Sequence, residues 1–310
     1  MRGKSMTLQG VSRREFLSVA AAGASGLVSG GSRIAGILEA AVQEKPRLSV
    51  TDRVALGRTP VRLTRLGLGT GTKGGKIQRD LGAEGFARLV RHAYDRGLRY
   101  IDTADAYKMH DLVGRAIRGL PREELVLLSK VRIKPDVDVA AELDRFRREL
   151  GTEYLDIVLI HCATKPGWPA DLQRMRDGLS AAKEKGVVRA VGVSCHGLPA
   201  LREVAGCAWV EVCLARINHD GTKMDGPTGA WAEPGDQAAG AAEVKKIHDA
   251  GKGVLGMKIM GEGAYQTPEE REKSIRFVVG GRYVDAMTIG FKSPEEIDEA
   301  MERIDRALNG

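Results

Sequence analysis

The sequence predicts a single-domain α/β protein, a (β/α)8 barrel of the TIM type. Short apolar runs that are typical of strands alternate eight times with amphipathic segments that are typical of helices. Such strict alternation favours parallel strands covered by helices. Beyond a non-globular leader about 260 residues remain, the usual size of an eight-stranded barrel. The glycine fingerprint of an open dinucleotide-binding sheet is absent, which favours a closed barrel.

Each barrel unit is predicted from its periodicity and its stop signals. A hairpin over Val54–Leu63, with its turn at Gly57–Pro60, precedes the barrel. The first helix, about Glu84 to Arg96, is predicted to bury every third or fourth residue, and Gly97 ends it. Capping boxes are predicted at Thr267–Glu270 and at Ser293–Glu296. The eight strands are Leu63–Gly69, a run ending at Asp102, a run ending at Lys130, a run ending at His161, Val187–Val193, Val210–Ala215, Val254–Ile259 and Val284–Ile289.

The N-terminal segment has the pattern of an export signal. Ser12–Leu17 contains two adjacent arginines, and a short stretch rich in Ala and Gly follows from Ser18 to Gly30. This stretch is too short and too rich in glycine for a membrane span. We therefore expect residues 1–47 to be a twin-arginine (Tat) signal and linker, and residues 51–310 to be the barrel. The protein would be exported by the Tat machinery, to lie in the periplasm or be attached to the membrane by an uncleaved signal. The alternative is an ordinary amphipathic helix.

Charge and cysteine content exclude some classes of function. Residues 1–47 hold seven basic and three acidic residues, or +4 of the formal net charge of +7, so the barrel carries only about +3. This gives little support for nucleic-acid binding. The four cysteines lack the close spacing of a metal site. Buried free thiols are expected, although a disulfide outside the cytoplasm stays open.

Three strand-like runs each end in a side chain that can transfer a proton or pair with a charge. Asp102, Lys130 and His161 close successive runs and are 28 and 31 residues apart. This separation matches one strand, one helix and two loops. Residues at the same ends of parallel barrel strands converge at one mouth, where barrel enzymes place their chemistry. Tyr107 follows Asp102 closely and joins this group.

Four segments resemble the signature motifs of the aldo-keto reductase family. They are Ile101–Tyr107, Leu128–Val131, Tyr154–His161 and Val191–Ser194. The motifs occur in the family's order and at its separations, and the likeness extends from about Thr51 to the C-terminus. The resemblance implies an oxidoreductase that uses NADP or NAD. Its substrate would be an aldehyde, ketone or sugar carbonyl, or the corresponding alcohol in the reverse direction.

Carbonyl reduction needs a hydride delivered to carbon and a proton delivered to oxygen. By resemblance, Tyr107 is the general acid/base, and Asp102, Lys130 and His161 tune and orient it. A free tyrosine, with a pKa of about 10, is a poor acid at neutral pH. The ammonium of Lys130 is expected to ease release of its proton. The alternative is an Asp102–Lys130 ion pair that only ties two strands together.

The resemblance also implies ten cofactor contacts across the C-terminal face of the barrel. Gly261 and Gly263 fit a loop that lets the pyrophosphate approach the backbone, and Lys292 and Ser293 fit a phosphate site at a helix N-terminus. A capping box is the alternative for Ser293. Glu296 stands where the family often has a cation for the 2′-phosphate, which leaves NADP versus NAD open. The predicted contacts are Gly69, Thr70, Ser194, Asn218, Met257, Lys258, Gly261, Gly263, Lys292 and Ser293.

Two other functions are weighed against the reductase. A metal-dependent barrel hydrolase would use histidines and cysteines near strand ends, but it leaves Asp102, Tyr107 and Lys130 without a role. A non-catalytic binding protein is motivated by substitutions: Cys195, Leu214 and Met257 stand where the family usually has Asn, Gln and an aromatic residue. Trp168 and Trp231 either line a substrate site or pack within their loops.

Overall fold

The structure, a computed structural model, describes residues 46–231 and 233–310. A closed barrel of eight parallel strands follows a two-stranded antiparallel hairpin, as predicted. The last barrel strand pairs with the first and closes the ring. The hairpin strands are β1 (Arg53–Ala55) and β2 (Arg62–Thr64), and the barrel strands are β3 (Leu66–Gly69), β4 (Tyr100–Asp102), β5 (Val126–Arg132), β6 (Leu155–Ala163), β7 (Val188–Cys195), β8 (Val212–Arg216), β9 (Gly253–Met257) and β10 (Ala286–Ile289).

Helices cover the outside of the barrel. Short 3-10 turns at Asp105–Tyr107 and Arg122–Glu124 follow β4 and precede β5. The helices are α1 (Lys76–Arg79), α2 (Gly82–Asp95), α3 (His110–Ile117), α4 (Val139–Leu150), α5 (Trp168–Asp171), α6 (Gln173–Glu184), α7 (Leu198–Leu201), α8 (Gln237–Asp249), α9 (Pro268–Gly281) and α10 (Pro294–Asn309).

The helical periodicity of the sequence produces the faces that pack on the barrel. Helix α2 buries Phe86, Leu89, Val90 and Ala93, the face expected from their spacing. Helix α4 shows how a helix is bounded. The Asp138 side chain accepts from Ala141 N at its start, and Gly151 ends it in the left-handed conformation.

The barrel interior is built by alternation along the strands. Side chains two residues apart point to the same face of a strand, and the inward set forms a separate apolar cluster made mainly of Leu, Ile, Val and Ala. Leu128 and Leu214 belong to this cluster. Two residues further along the same strands are Lys130 and Arg216, so both belong to the inward-facing series at the C-terminal mouth.

Three local expectations need correction. Strand β5 continues past Lys130 to Arg132, because Val131 and Arg132 still pair with β6. Strand β6 continues past His161, with an irregular register between Ile160 and Ala163. The predicted capping box at Ser293 is wrong, since its side chain makes no cap hydrogen bond. The box at Thr267–Glu270 is confirmed.

The predicted export signal lies outside the described residues. Near the start of the described chain, Val50 N donates to Asp305 Oδ1 at 2.6 Å, which ties this segment to α10. No helix within residues 46–231 and 233–310 is long and apolar enough to cross a membrane.

Candidate active site

The four side chains predicted to be catalytic lie together at the barrel mouth. Lys130 Nζ donates to Asp102 Oδ1 at 2.6 Å and lies 4.9 Å from the centroid of the Tyr107 ring. The His161 ring meets the Tyr107 ring edge-on, with centroids 5.5 Å apart. Strands β4, β5 and β6 supply Asp102, Lys130 and His161, while the 3-10 turn after β4 supplies Tyr107. One phenol, one ammonium and one imidazole therefore meet at one corner of the mouth, with Lys130 buried and Tyr107 and His161 half-buried.

The Lys130–Asp102 pair has its polar groups satisfied. Lys130 Nζ also donates to Thr103 O at 2.9 Å, and the Tyr100 hydroxyl donates to Asp102 Oδ2 at 3.4 Å. Burial lowers the pKa of Lys130 and raises that of Asp102, while their mutual attraction opposes both shifts. These hydrogen bonds fix the Lys130 ammonium beside the Tyr107 phenol. An ion pair that only tied two strands together would not need to lie next to a phenol.

Tyr107 is held as the protonated acid rather than as a phenolate. Burial raises its pKa well above the ordinary value, and the charge of Asp102 adds to that rise. The pKa of Tyr107 is thus raised rather than lowered, because the loss of water around the phenol and the nearby negative charges favour its protonated form. Gly71 packs against this phenol: a Cβ there would lie 2.9 Å from the hydroxyl oxygen. Only glycine leaves the hydroxyl this space.

His161 is a neutral hydrogen-bonding group. Burial, together with Lys130 and Arg132, lowers its pKa to about 3, so one ring nitrogen carries a proton to donate at neutral pH. The irregular register of β6 presents this ring, and Cys162 takes a left-handed conformation there. Ser194 Oγ accepts the Cys162 N–H at 2.9 Å. Ser194 thus supports the bulge that aims His161.

A polar network that the sequence did not predict anchors the turn carrying Tyr107. Asp105, in that turn, accepts from Arg145 at 2.6 Å, and Arg145 also donates to Glu149 at 2.8 Å. His110 bridges Glu149 and Ser129 at 2.9 and 2.8 Å. These residues lie on α3, α4 and β5, so packing between the helices fixes the acid. Their separation in sequence hides the network.

A cleft of about 430 Å³ runs from Asp102 and Tyr107 towards the start of α10. Five of the ten predicted cofactor contacts line this cleft. The lining includes Gly69, Met257, Lys258, Gly263 and Lys292. It also includes Gly71, Thr288, Gly290 and Arg271, which no sequence motif indicated.

The other predicted cofactor contacts lie beside the cleft and support it. Thr70 Oγ1 donates to Asp102 O at 3.0 Å, and Asn218 Nδ2 donates to Lys258 O at 3.1 Å. Gly261 has a positive φ in the loop that follows β9. Ser293 precedes α10, and Ser194 is fully buried at the bulge of β6.

Four cations along the cleft are paired with carboxylates. Lys258 meets Glu262 at 2.9 Å, and Lys292 meets Glu296 at 3.3 Å. At the far end, Arg271 and Arg303 share Glu299, at 2.9 and 2.8 Å. An anionic ligand there would meet both signs of charge.

The tryptophans separate into two roles. Trp168 is buried, and its indole N–H donates to Ala200 O at 3.1 Å, so it packs within its loop. Trp231 is 71% exposed and stacks on His196 at the mouth. All four cysteines are free thiols. In the part of the chain that the structure describes, no three His, Cys, Asp or Glu side chains are arranged to hold a metal ion, which gives the hydrolase hypothesis no support.

The fold and site define a (β/α)8 barrel in which a Tyr–Lys–Asp–His group lies beside an elongated cleft. The sequence profile of the aldo/keto reductase family matches residues 65–222, just over half of the chain. The protein therefore belongs to the aldo/keto reductase family.

Curated relatives match part of the chain. The NADH-specific methylglyoxal reductase of Escherichia coli is 28% identical over 195 residues, which cover 54% of this chain and 59% of that protein. The 2,5-diketo-D-gluconic acid reductase B of a Corynebacterium species is 36% identical over 133 residues, 39% of this chain and 44% of that protein. The chain thus matches about half the length of these relatives.

Solved structures of the same fold cover more of the chain at lower identity. An aldo-keto reductase of Bacillus halodurans in its holo form gives a TM-score of 0.64 at 16% identity, over 83% of this chain and 95% of that one. An aldo/keto reductase of Klebsiella pneumoniae, in complex with NADP and acetate, gives 0.59 at 20% identity, over 82% and 89%. At these identities the likeness supports the fold alone.

Proposed function

We propose that this protein is an NAD(P)H-dependent oxidoreductase that reduces an aldehyde, ketone or sugar carbonyl, or oxidises the alcohol in reverse. The observation that carries the proposal is the half-buried phenol of Tyr107, protonated, flanked by Lys130 and His161, at the inner end of the cleft. Family membership supports the same reaction class.

The cleft fits a nicotinamide dinucleotide. Thr288 Oγ1 is buried there without a hydrogen-bond partner, so a ligand with a polar group would satisfy it. Gly69 and Gly290 line the same cleft, and neither has room for a side chain, since a Cβ at Gly69 would lie 2.9 Å from Thr288 Oγ1. Leu214 and Met257 add an apolar wall near Tyr107. A bound dinucleotide would supply the hydride.

Residues of this chain orient the carbonyl and deliver the proton to its oxygen. The neutral His161 donates a hydrogen bond to the carbonyl oxygen and fixes its direction. Tyr107 then releases its phenol proton to that oxygen as negative charge develops. The ammonium of Lys130, held by Asp102 and Thr103 O, stabilises the resulting phenolate. The raised pKa keeps Tyr107 protonated before the reaction, so it enters the reaction as the proton donor.

Steady-state oxidation of NADPH and NADH with a panel of aldehydes tests this proposal. Tyr107→Phe removes only the acidic hydroxyl and is expected to lower kcat by about 10²–10⁴-fold. Tyr154→Phe is the matched control, since that ring lies under Arg122 away from the cleft. Equal activity of Tyr107→Phe and wild type would contradict the assignment of the acid.

We also propose export by the twin-arginine route, as the Ser12–Leu17 pattern predicts. Cell fractionation of the full chain would find it outside the cytoplasm. The double substitution of Arg13 and Arg14 by lysine would keep it inside. Retention of the wild type in the cytoplasm would overturn the export proposal without affecting the reductase proposal.

A further inference from the structure

A second buried cation lies at the barrel mouth, and the reaction described above does not use it. Arg216 ends β8 two residues after Leu214 and is only 7% exposed. Asp225, His196 and Trp231 surround it. We call these four residues the Arg216 cluster.

Arg216 has donors that its neighbours do not use. Its Nε has no hydrogen-bond partner, and the Asp225 Oδ1 atom lies 3.6 Å away, beyond normal hydrogen-bond length. Neither carboxylate oxygen of Asp225 has a hydrogen-bond partner. Arg122 shows the contrast: its guanidinium donates to Thr152, to backbone carbonyls and to an aspartate, all between 2.7 and 2.9 Å. A buried guanidinium with spare donors is suited to binding a further anion.

His196 adds a donor to the cluster. Arg216 donates to His196 Nδ1, and because a guanidinium only donates, that nitrogen must accept. The remaining proton of the neutral ring is therefore on Nε2. Burial lowers the pKa of His196 well below its ordinary value, which keeps the ring neutral. Its Nε2–H can donate to the same ligand as Arg216.

Trp231 covers the cluster with an exposed aromatic surface. Its ring stacks on His196 at 5.2 Å with an interplanar angle of 17°, and lies 5.2 Å from Arg216 Cζ. It belongs to the Gly- and Pro-rich loop between β8 and α8. An exposed indole above a buried cation can enclose a ligand that carries both a flat body and a charge.

The cluster is continuous with the centre that protonates the carbonyl. The His161 ring lies 5.5 Å from Tyr107 on one side and 6.4 Å from His196 on the other. A ligand that spans from Tyr107 to Arg216 must pass both histidines. The carbonyl and the anionic group would therefore be several atoms apart, rather than adjacent.

We propose that Arg216, with His196 and Trp231, binds a carboxylate on the carbonyl substrate and so determines specificity. The substrate class is an aldehyde or ketone that bears a carboxylate several atoms from the reacting carbonyl. This inference rests on the reductase proposal. Asp225 holds Arg216 in position without saturating its donors, which leaves the guanidinium able to form charge-assisted hydrogen bonds with the substrate.

The competing explanation is that the Arg216–Asp225 pair only pins the loop to the barrel. Loss of Arg216 would then impair every substrate alike. A charge that merely attracts anions from a distance would behave differently again, since any nearby cation would contribute. A pair of substrates that differ in one charge distinguishes the three.

The probes are 4-carboxybenzaldehyde and methyl 4-formylbenzoate, which share one rigid body and differ in the carboxylate. The measured quantity is the ratio of their kcat/KM values with the full chain. We expect the acid to exceed the ester about tenfold or more in wild type, and Arg216→Gln to lower the ratio by about ten- to a hundredfold, mainly through KM. Asp225→Asn is expected to keep or raise the ratio, because it removes a competing anion.

Arg132→Gln is the control for long-range attraction, since this exposed cation also acts on His161. It should leave the ratio within about twofold. A wild-type ratio of one or less overturns the inference without any variant. So does an equal fall for both probes in Arg216→Gln, or an equal effect of Arg132→Gln. Absence of turnover with both probes and with the wider aldehyde panel would instead contradict the reductase proposal itself.

Discussion

The two buried ion pairs at the barrel mouth differ in how completely they are satisfied. Lys130 and Asp102 meet at 2.6 Å, and each has a second hydrogen-bond partner. Arg216 and Asp225 are 3.6 Å apart, and both oxygens of Asp225 lack partners. Burying a charge is costly unless it is paired and hydrogen-bonded. The first, complete pair is therefore fixed in place beside Tyr107, whereas the second, incomplete pair retains donors that a ligand can bind.

Substitution of Lys130 in the complete pair is expected to have the largest effect on stability and activity. Lys130→Met would leave Asp102 buried without its cation, and breaking such a pair costs about 3–5 kcal/mol of unfolding free energy. It would also lower kcat by about 10²–10⁴-fold, because the phenolate of Tyr107 loses its stabilising charge. Chemical denaturation and the dinucleotide oxidation assay measure the two.

Arg216→Gln tests the energy of the incomplete pair. Its loss should cost about 1–3 kcal/mol of unfolding free energy, less than Lys130→Met, because fewer hydrogen bonds are broken. Equal losses of unfolding free energy in the two variants would show that the two pairs are energetically alike.

The incomplete pair also predicts a pH dependence of stability. Burial raises the pKa of Asp225 from 3.8 to about 6, so the folded state holds this proton over a range in which the unfolded chain has lost it. The stabilisation is complete below pH 3.8 and is lost as the pH rises through about 6. The loss is about 3 kcal/mol.

The Asp225→Asn variant has no ionisable group at this position. Its unfolding free energy, relative to that of wild type, should therefore rise by about 3 kcal/mol between about pH 4 and pH 7.5. Urea denaturation at several pH values measures this difference. The exposed Asp95→Asn is the control and should show little change. A difference in unfolding free energy between Asp225→Asn and wild type that does not vary with pH would contradict a buried Asp225 with a raised pKa.

The smallest expected effect is at a third pair, which is exposed. Lys292 and Glu296 meet at 3.3 Å at the outer end of the cleft. Glu296→Gln would free Lys292 for a 2′-phosphate and tighten NADPH binding by about three- to tenfold, with NADH changed by less than about twofold. Fluorescence titration measures both, and Glu295→Gln is the neighbouring control. Equal effects on the two cofactors would rule out a role at the 2′-phosphate.

Sequence patterns predicted the complete pair but not the incomplete one. Asp102, Lys130 and His161 each follow an apolar run, so strand periodicity alone brings them to one mouth. Arg216 also ends a strand, but Asp225 lies in a loop without periodicity, and only the folded chain brings the two together. The hairpin, eight strands and buried faces such as that of α2 were predictable because they repeat with fixed periods.

Other features depend on tertiary geometry. The bulge in β6 gives Ser194 its contact with Cys162, and no residue pattern marks a change of register. The pKa of Tyr107 was expected to fall beside Lys130, but burial decides its direction. Burial of a single hydroxyl cannot be read from spacing. At Ser293 the sequence of a capping box is present, but the side chain does not make the bond.

The most direct test is a fluorescence titration of the full chain with NADPH and NADH, using wild type and Tyr107→Phe, followed by addition of aldehyde to each saturated sample. We expect saturable binding to both proteins, and oxidation of the dinucleotide in wild type alone. Failure of wild type to bind either dinucleotide would contradict it and would favour a binding protein on a reductase-like barrel.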